Sequence, residues 1–241
     1  MKAAEASSNA SPKAMAMTIS ISDAGKRFNR EWIFRHFTYT FEEGKSYAIT
    51  GPNGSGKSTL LQAIGGSLHI NEGSLKYEVG GQTSNVKSRR SDVKRQKPEV
   101  RIVPTEEIYN HVSICAPYLE VVEEMTLKEF LNFHHGFKPL LKEITADKII
   151  SIIGLEKAVN KQIRYYSSGM KQRVKLAQCI FSDVPVILLD EPCTNLDAAG
   201  IELYHWLIND YCKSRLIVVS SNDEVEYKFC SERINISEYK T

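Results

Sequence analysis

The sequence predicts an α/β fold: one core built on a parallel sheet, with a small helical subdomain inserted in it. Three observations carry this prediction. Residues 51–59 read Gly-Pro-Asn-Gly-Ser-Gly-Lys-Ser-Thr, set between a short, mostly apolar run at 46–50 and a helix-forming run at 60–64. That is the strand, loop and helix context of a phosphate-binding loop. The runs 184–189 and 215–219 are apolar through the middle, as central parallel strands covered on both faces require. Between 126 and 160 the period turns helical: Leu127, Phe130, Leu131 and His134 share one face, and Ile149, Ile150, Ile152, Ile153 and Leu155 mark a second amphipathic segment.

The elements follow in order. Residues 1–17, rich in Ala and Ser, read as a flexible tail, and ordered structure is expected from Thr18, where 18–22 alternates with period two. Strands dominate from there to the loop. Past the loop helix, 72–77 reads as a turn into a strand that Gly80-Gly81 ends. Residues 82–106 read as a surface insertion, in which, from Lys87 to Arg101, the basic Lys87, Arg89, Arg90, Lys94, Arg95, Lys97 and Arg101 stand against only Asp92 and Glu99. Such a stretch is either a solvated loop or a contact for anionic lipid head groups or an acidic partner. The helical subdomain is expected over 119–165.

Composition bounds the function. A chain of 241 residues with 42% hydrophobic content buries one large core. A net charge of +2 gives no argument for nucleic acid. No apolar run reaches the length of a membrane span and the first 17 residues lack the continuous apolar stretch of a secretory signal, so a cytoplasmic chain is expected. Cys115, Cys179, Cys193, Cys212 and Cys230 show no zinc-like spacing and read as reduced thiols.

The chemistry starts at the loop. Gly51, Gly54 and Gly56 let the backbone close around an anion with its N–H groups inward, and Pro52, Asn53, Ser55 and Thr59 complete the motif. Lys57 adds a charge within reach of the β- and γ-phosphates, and the Ser58 hydroxyl is the expected ligand of Mg²⁺. The apolar run 184–189 ends in Asp190-Glu191, at the carboxyl end of a buried strand where ligands bind in open α/β sheets. Asp190 is expected to hold Mg²⁺, and Glu191 to polarise the water that attacks the γ-phosphate.

Further along, Tyr166-Ser167-Ser168-Gly169-Met170 opens a helix with Met170, Val174, Ala177 and Phe181 on one stripe, and Thr194-Asn195-Leu196-Asp197 follows the carboxylate pair. With these motifs in this order, the chain from about Thr18 onward resembles the nucleotide-binding domain of ABC transport ATPases. The resemblance implies a P-loop NTPase core with an antiparallel β subdomain and an inserted helical subdomain, using ATP and Mg²⁺. It implies that Ser167, Ser168 and Gly169 cap the γ-phosphate held by a second ATP-binding subunit, in a homodimer or a heterodimer. It also implies that Asp197 couples the two sites, that Phe28 stacks on adenine, and that 117–124 receives an integral-membrane permease subunit.

Residence on the cytoplasmic face of the membrane follows from that partner. The Ser-Gly-Met-Lys-Gln-Arg form of the signature looks export-type, and the short run after Asn222 reads as leaving no room for a regulatory domain. Two positions depart from the family: Pro117 stands where it places a glutamine, and Asn222 where it places a histidine. Asn222 can hydrogen-bond a phosphate oxygen but carries no proton or charge. Losing that charge-assisted contact costs roughly ten- to a thousandfold in rate. A non-transport ATPase of a soluble assembly stays open, as does a slow ATP-gated dimerisation switch.

Overall fold

In the computed structural model, residues 16–80 and 100–240 are described. In chain order they form β1 (Met17–Phe28), β2 (Glu31–Glu42), β3 (Ser46–Thr50), α1 (Lys57–Ile64), β4 (Glu72–Gly80), β5 (Val100–Val103), β6 (Val112–Cys115), α2 (Leu127–Phe137), α3 (Ala146–Ile152), α4 (Ser168–Ile180), β7 (Val186–Asp190), α5 (Ala198–Tyr211), β8 (Leu216–Ser220), α6 (Glu224–Tyr227) and β9 (Glu232–Asn235). One sheet, ordered β2-β1-β4-β5, is antiparallel. The other, ordered β6-β7-β8-β3-β9, is parallel throughout.

The apolar runs of the central strands are explained by two cores, one on each face of the parallel sheet. Val186 and Leu188 of β7 and Leu216 and Val218 of β8 face the core shared with the antiparallel sheet and α1. Their neighbours Ile187, Leu189, Ile217 and Val219 face the core built by the helices. Successive side chains on a strand point to opposite faces, so both sets must be apolar. Burial on both faces anchors the strands whose ends carry the functional loops.

The start of β1 and the segment after residue 99 differ from the expectation. Met17 is fully buried and begins β1, so the fold starts one residue before Thr18. Residues 1–15 lie outside the described residues, as does the expected insertion up to Glu99. Its last part is an edge strand, β5, paired with β4 through Tyr77↔Val103 and Gly80↔Val100, and a 3₁₀ turn, Thr105–Asn110, whose Ile108 is buried. The signal was weak because only Val103 of this four-residue strand is buried.

The helical region is self-capped. Thr126 accepts from Glu129 N, and the Glu129 carboxylate accepts from Thr126 N at 2.8 Å, closing a capping box ahead of α2. Leu127, Phe130 and Leu131 of α2 pack in one core with Ile149, Ile150 and Ile153 of the α3 segment. A polar tie then joins α2 to α4. His134 Nε2 donates to Ser182 Oγ at 2.9 Å, whose own hydroxyl is committed to Gln178 O at 2.7 Å, while His134 Nδ1 accepts from Gln178 Nε2 at 3.2 Å.

That pattern needs a neutral imidazole, and burial first, then Lys138 and His135, lowers the His134 pKa to about 4. The unfolded chain therefore binds the proton more readily than the fold. The stability from this tie is fully present above about pH 6.5 and is lost as pH falls toward 4. Because the ring is partly exposed, the loss is discounted to about 1–2 kcal/mol. Urea unfolding at pH 7 and pH 4.5 measures it: the pH-dependent loss should shrink in His134→Gln, and an unchanged loss would assign it to other groups.

Candidate functional site

The loop after β3 holds Gly51, Gly54 and Gly56 at φ of 143°, 73° and 104°, the region where side chains are strained and glycine is not. Gly56 has a second constraint: a Cβ there would sit 2.4 Å from Ile33 Cγ2 on β2. The antiparallel sheet thus presses on the loop from outside. Lys57, 5% exposed, turns back to donate to Gly51 O at 2.8 Å and Pro52 O at 3.2 Å. Burial pushes its ammonium pKa down, while Glu191 and Asp190 pull it up. A cavity of about 240 Å³ is lined by residues 53–59, Ile33 and Glu191.

Two carboxylates close this end of the sheet. Asp190, the last residue of β7, is buried, and its Oδ1 has no hydrogen-bond partner among the described residues. A buried oxygen of that kind is expensive unless something charged binds it, and a hard carboxylate donor beside a phosphate loop suits Mg²⁺. Glu191 adopts a left-handed φ of 44°. Its N–H donates to Ser220 O at 2.9 Å, and its carbonyl accepts from Thr194 N at 3.2 Å and Thr194 Oγ1 at 2.9 Å. Strain of this kind persists only where the surroundings over-determine it, and here it turns the residue after β7 toward the loop cavity. At the end of β8, Asn222 Nδ2 donates to Asn53 Oδ1 at 2.6 Å, which brings Asn222 to the loop.

The Ser167 group lies elsewhere. Ser167 caps α4, its Oγ accepting from Met170 N at 3.3 Å. Asp197 caps α5, its Oδ1 accepting from Gly200 N at 2.8 Å and from Arg173 at 3.3 Å, so its pKa is lowered chiefly by the Gly200 N–H. Gly169 is where the two segments meet, since a Cβ there would stand 2.9 Å from Asn195 O. Ser167, Ser168, Gly169 and Asp197 line a cavity of about 500 Å³ that shares no residue with the loop cavity.

Phe28 lines neither cavity. It is 49% exposed at the end of β1, with Lys26 Nζ 5.0 Å from its ring centre. Pro117 borders a third cavity of about 230 Å³, with Ser168 and Lys171 opposite, and its carbonyl accepts from Lys175 Nζ at 3.1 Å. Three residues here escape sequence reasoning. Ile33 presses on Gly56, buried Gln172 donates to Pro192 O at 2.7 Å, and buried Glu226 accepts from Cys193 N at 2.7 Å. Ile33 and Glu226 belong to no local motif, Gln172 sits in the signature without its contact being readable there, and each acts on a residue distant in the chain.

Residues 34–194 match the family model described as ABC transporter. The match includes the loop, the Ser167 group and the Asp190-Glu191 pair; Phe28, Asp197 and Asn222 lie outside it. The chain is 27% identical to an uncharacterized ABC transporter ATP-binding protein of Bacillus subtilis, YhcH, over 92% of this chain and 67% of the relative. It is 30% identical to the thiamine import ATP-binding protein ThiQ of Salmonella typhimurium, over 80% of this chain and 78% of that one. In fold it is similar to a solved putative ABC transporter ATP-binding protein of Pyrococcus furiosus, with a TM-score of 0.69, 19% identity, and 93% and 100% of the two chains covered. The parallel sheet, the antiparallel sheet and the loop between β3 and α1 agree with these matches: the chain belongs to the ABC transporter family, as one of its ATP-binding subunits.

Proposed function

We propose that this chain hydrolyses ATP at the loop cavity, with residues 17–241 acting as one nucleotide-binding domain. A second ATP-binding subunit closes over the nucleotide, and the pair drives a separate integral-membrane permease from the cytoplasmic face. One observation carries the reading: Glu191 lines the same cavity as Lys57 and Ser58. Gly51, Pro52, Asn53, Gly54, Ser55, Gly56 and Thr59 form the cradle around the phosphates. Lys57 leaves the carbonyls of Gly51 and Pro52 for the β- and γ-phosphate oxygens, exchanging neutral acceptors for charged ones. Ser58 and Asp190 would hold Mg²⁺, which when bound neutralises charge on the phosphate oxygens. Glu191 orients the attacking water and takes its proton, and Asn222 donates to a γ-phosphate oxygen.

Ser167, Ser168, Gly169 and Asp197 line another cavity, so one chain does not assemble both halves. That supports a partner subunit whose signature residues complete this chain's loop site. Phe28 is assigned to stacking on adenine, which needs an exposed ring, and it has one. Exposed Tyr118, Leu119 and Val122 on the 117–124 segment support a permease contact there. Among the described residues no helix is long and apolar enough to cross a membrane. The signature form supports export, while the thiamine import relative supports uptake; solute flux in vesicles carrying the co-purified complex decides the direction.

A slow ATP-gated switch is the second reading, favoured by Pro117 and Asn222. Asn222→His is expected to raise ATP turnover about tenfold, because a charge-assisted contact replaces a neutral one. Turnover assays on the purified chain check this, and an unchanged rate would mean that Asn222 does not limit hydrolysis. Recovery of the chain with membranes under conditions that preserve complexes supports the permease; a wholly cytosolic pool would favour the soluble assembly.

A further inference from the structure

We propose that Glu226 is a positioning residue for hydrolysis, whose buried carboxyl holds the turn after Glu191 against the loop that carries Asn222. The inference rests on the roles proposed above for those two residues. Glu226 lies in α6, four residues beyond Asn222, and is only 5% exposed. Its Oε1 accepts from Cys193 N at 2.7 Å. Cys193 is in the turn that Thr194 closes on the Glu191 carbonyl, at 3.2 Å through its N–H and 2.9 Å through its hydroxyl. One end of the contact is therefore the turn that keeps Glu191 in its left-handed conformation.

The other end is equally anchored. Glu226 N donates to Asp223 O at 3.0 Å, and Glu226 O accepts from the buried Tyr204 hydroxyl at 2.8 Å. Ser221, 1% exposed, reaches Asp223 O only at 3.5 Å with its hydroxyl, while Glu226 Oε2 has no partner among the described residues. Burial is the main cause that raises the Glu226 pKa, opposed by the Cys193 N–H. For stability alone, an apolar side chain of similar volume would serve at least as well as a buried carboxyl with one oxygen unused. What it would not supply is an acceptor of this reach between the two loops, and geometry errors near 1 Å at reacting groups are costly in rate.

The test is steady-state ATP turnover of the full chain, with thermal unfolding of each variant recorded alongside. Glu226→Gln keeps an acceptor oxygen at the same reach and should retain kcat within about twofold. Glu226→Leu, which has no acceptor, and Glu226→Asp, one methylene short, should each lose kcat about tenfold with KM for ATP within about twofold. The Asp variant decides the matter if the Leu variant does not fold. The proposal is overturned if the folded short or apolar variants keep wild-type kcat, if KM rises while kcat holds, or if the Gln variant falls as far as Leu. A wild type no faster than Glu191→Gln overturns the hydrolysis reading and this role with it. An active wild type with unaffected Leu and Asp variants overturns the positioning role alone.

Discussion

Glu191→Gln is expected to lower ATP turnover by about a hundredfold or more, the usual contribution of a positioned general base, while ATP binds at least as tightly as to the wild type. The substitution is nearly isosteric. The bonds that keep residue 191 at φ 44° run through its backbone N–H and carbonyl, to Ser220 and Thr194, so the loop geometry survives the change. What disappears is the capacity to take a proton from water, and with it a negative charge lining the phosphate cavity. Removing that charge lessens repulsion of the incoming phosphates, so binding and turnover should separate. Equilibrium ATP binding and single-turnover rates on one preparation check both halves. Turnover within about threefold of the wild type would remove Glu191 from the role of base.

Lys57→Met should produce the opposite split. Methionine matches the length of the stem and suits a site where residue 57 is only 5% exposed, so the nucleotide-free fold should be little affected. The two bonds to Gly51 O and Pro52 O are lost, but so is an ammonium group whose pKa burial already lowers. ATP binding has no such compensation. A buried charge contact to phosphate is worth about 2–5 kcal/mol on truncation, so affinity should fall by about thirtyfold to several thousandfold. Ligand-dependent stabilisation follows from affinity by mass action. The thermal shift that ATP gives the wild type should therefore vanish in the variant, while the ATP-free unfolding temperature stays within a few degrees. A preserved ATP shift would mean that the backbone cradle holds the phosphates without Lys57.

How much was legible in the chain depended on how local each feature is. The phosphate loop is nine consecutive residues, and its strand and helix neighbours lie where the flanking composition puts them, at Ser46–Thr50 and Lys57–Ile64. Strands β7 and β8 were readable because burial on both faces demands unbroken apolar runs. The signature helix was readable from its stripe and its serine cap. Strand β5 was not, because an edge strand with one buried side chain leaves almost no period. Nor does any spacing announce that Ile33 rests on Gly56, or that Glu226 reaches Cys193. Those contacts join separate segments of the chain, and Ile33 and Glu226 are each unremarkable in their own neighbourhood.

By itself, then, the sequence determined the chemistry on offer: an anion cradle in 51–59, the cation of Lys57, and two carboxylates at the end of one buried strand. Local rules suffice for these, since glycine conformations, helix starts and strand burial are each decided within a few residues. Only the tertiary structure decided which groups meet. It put Glu191 on the wall of the loop cavity, brought Asn222 to Asn53, and kept the Ser167 and Asp197 cavity apart from both. The physical reason is the parallel sheet: β7, β8 and β3 are neighbours with their carboxyl ends aligned, so residues more than a hundred positions apart in sequence share one edge.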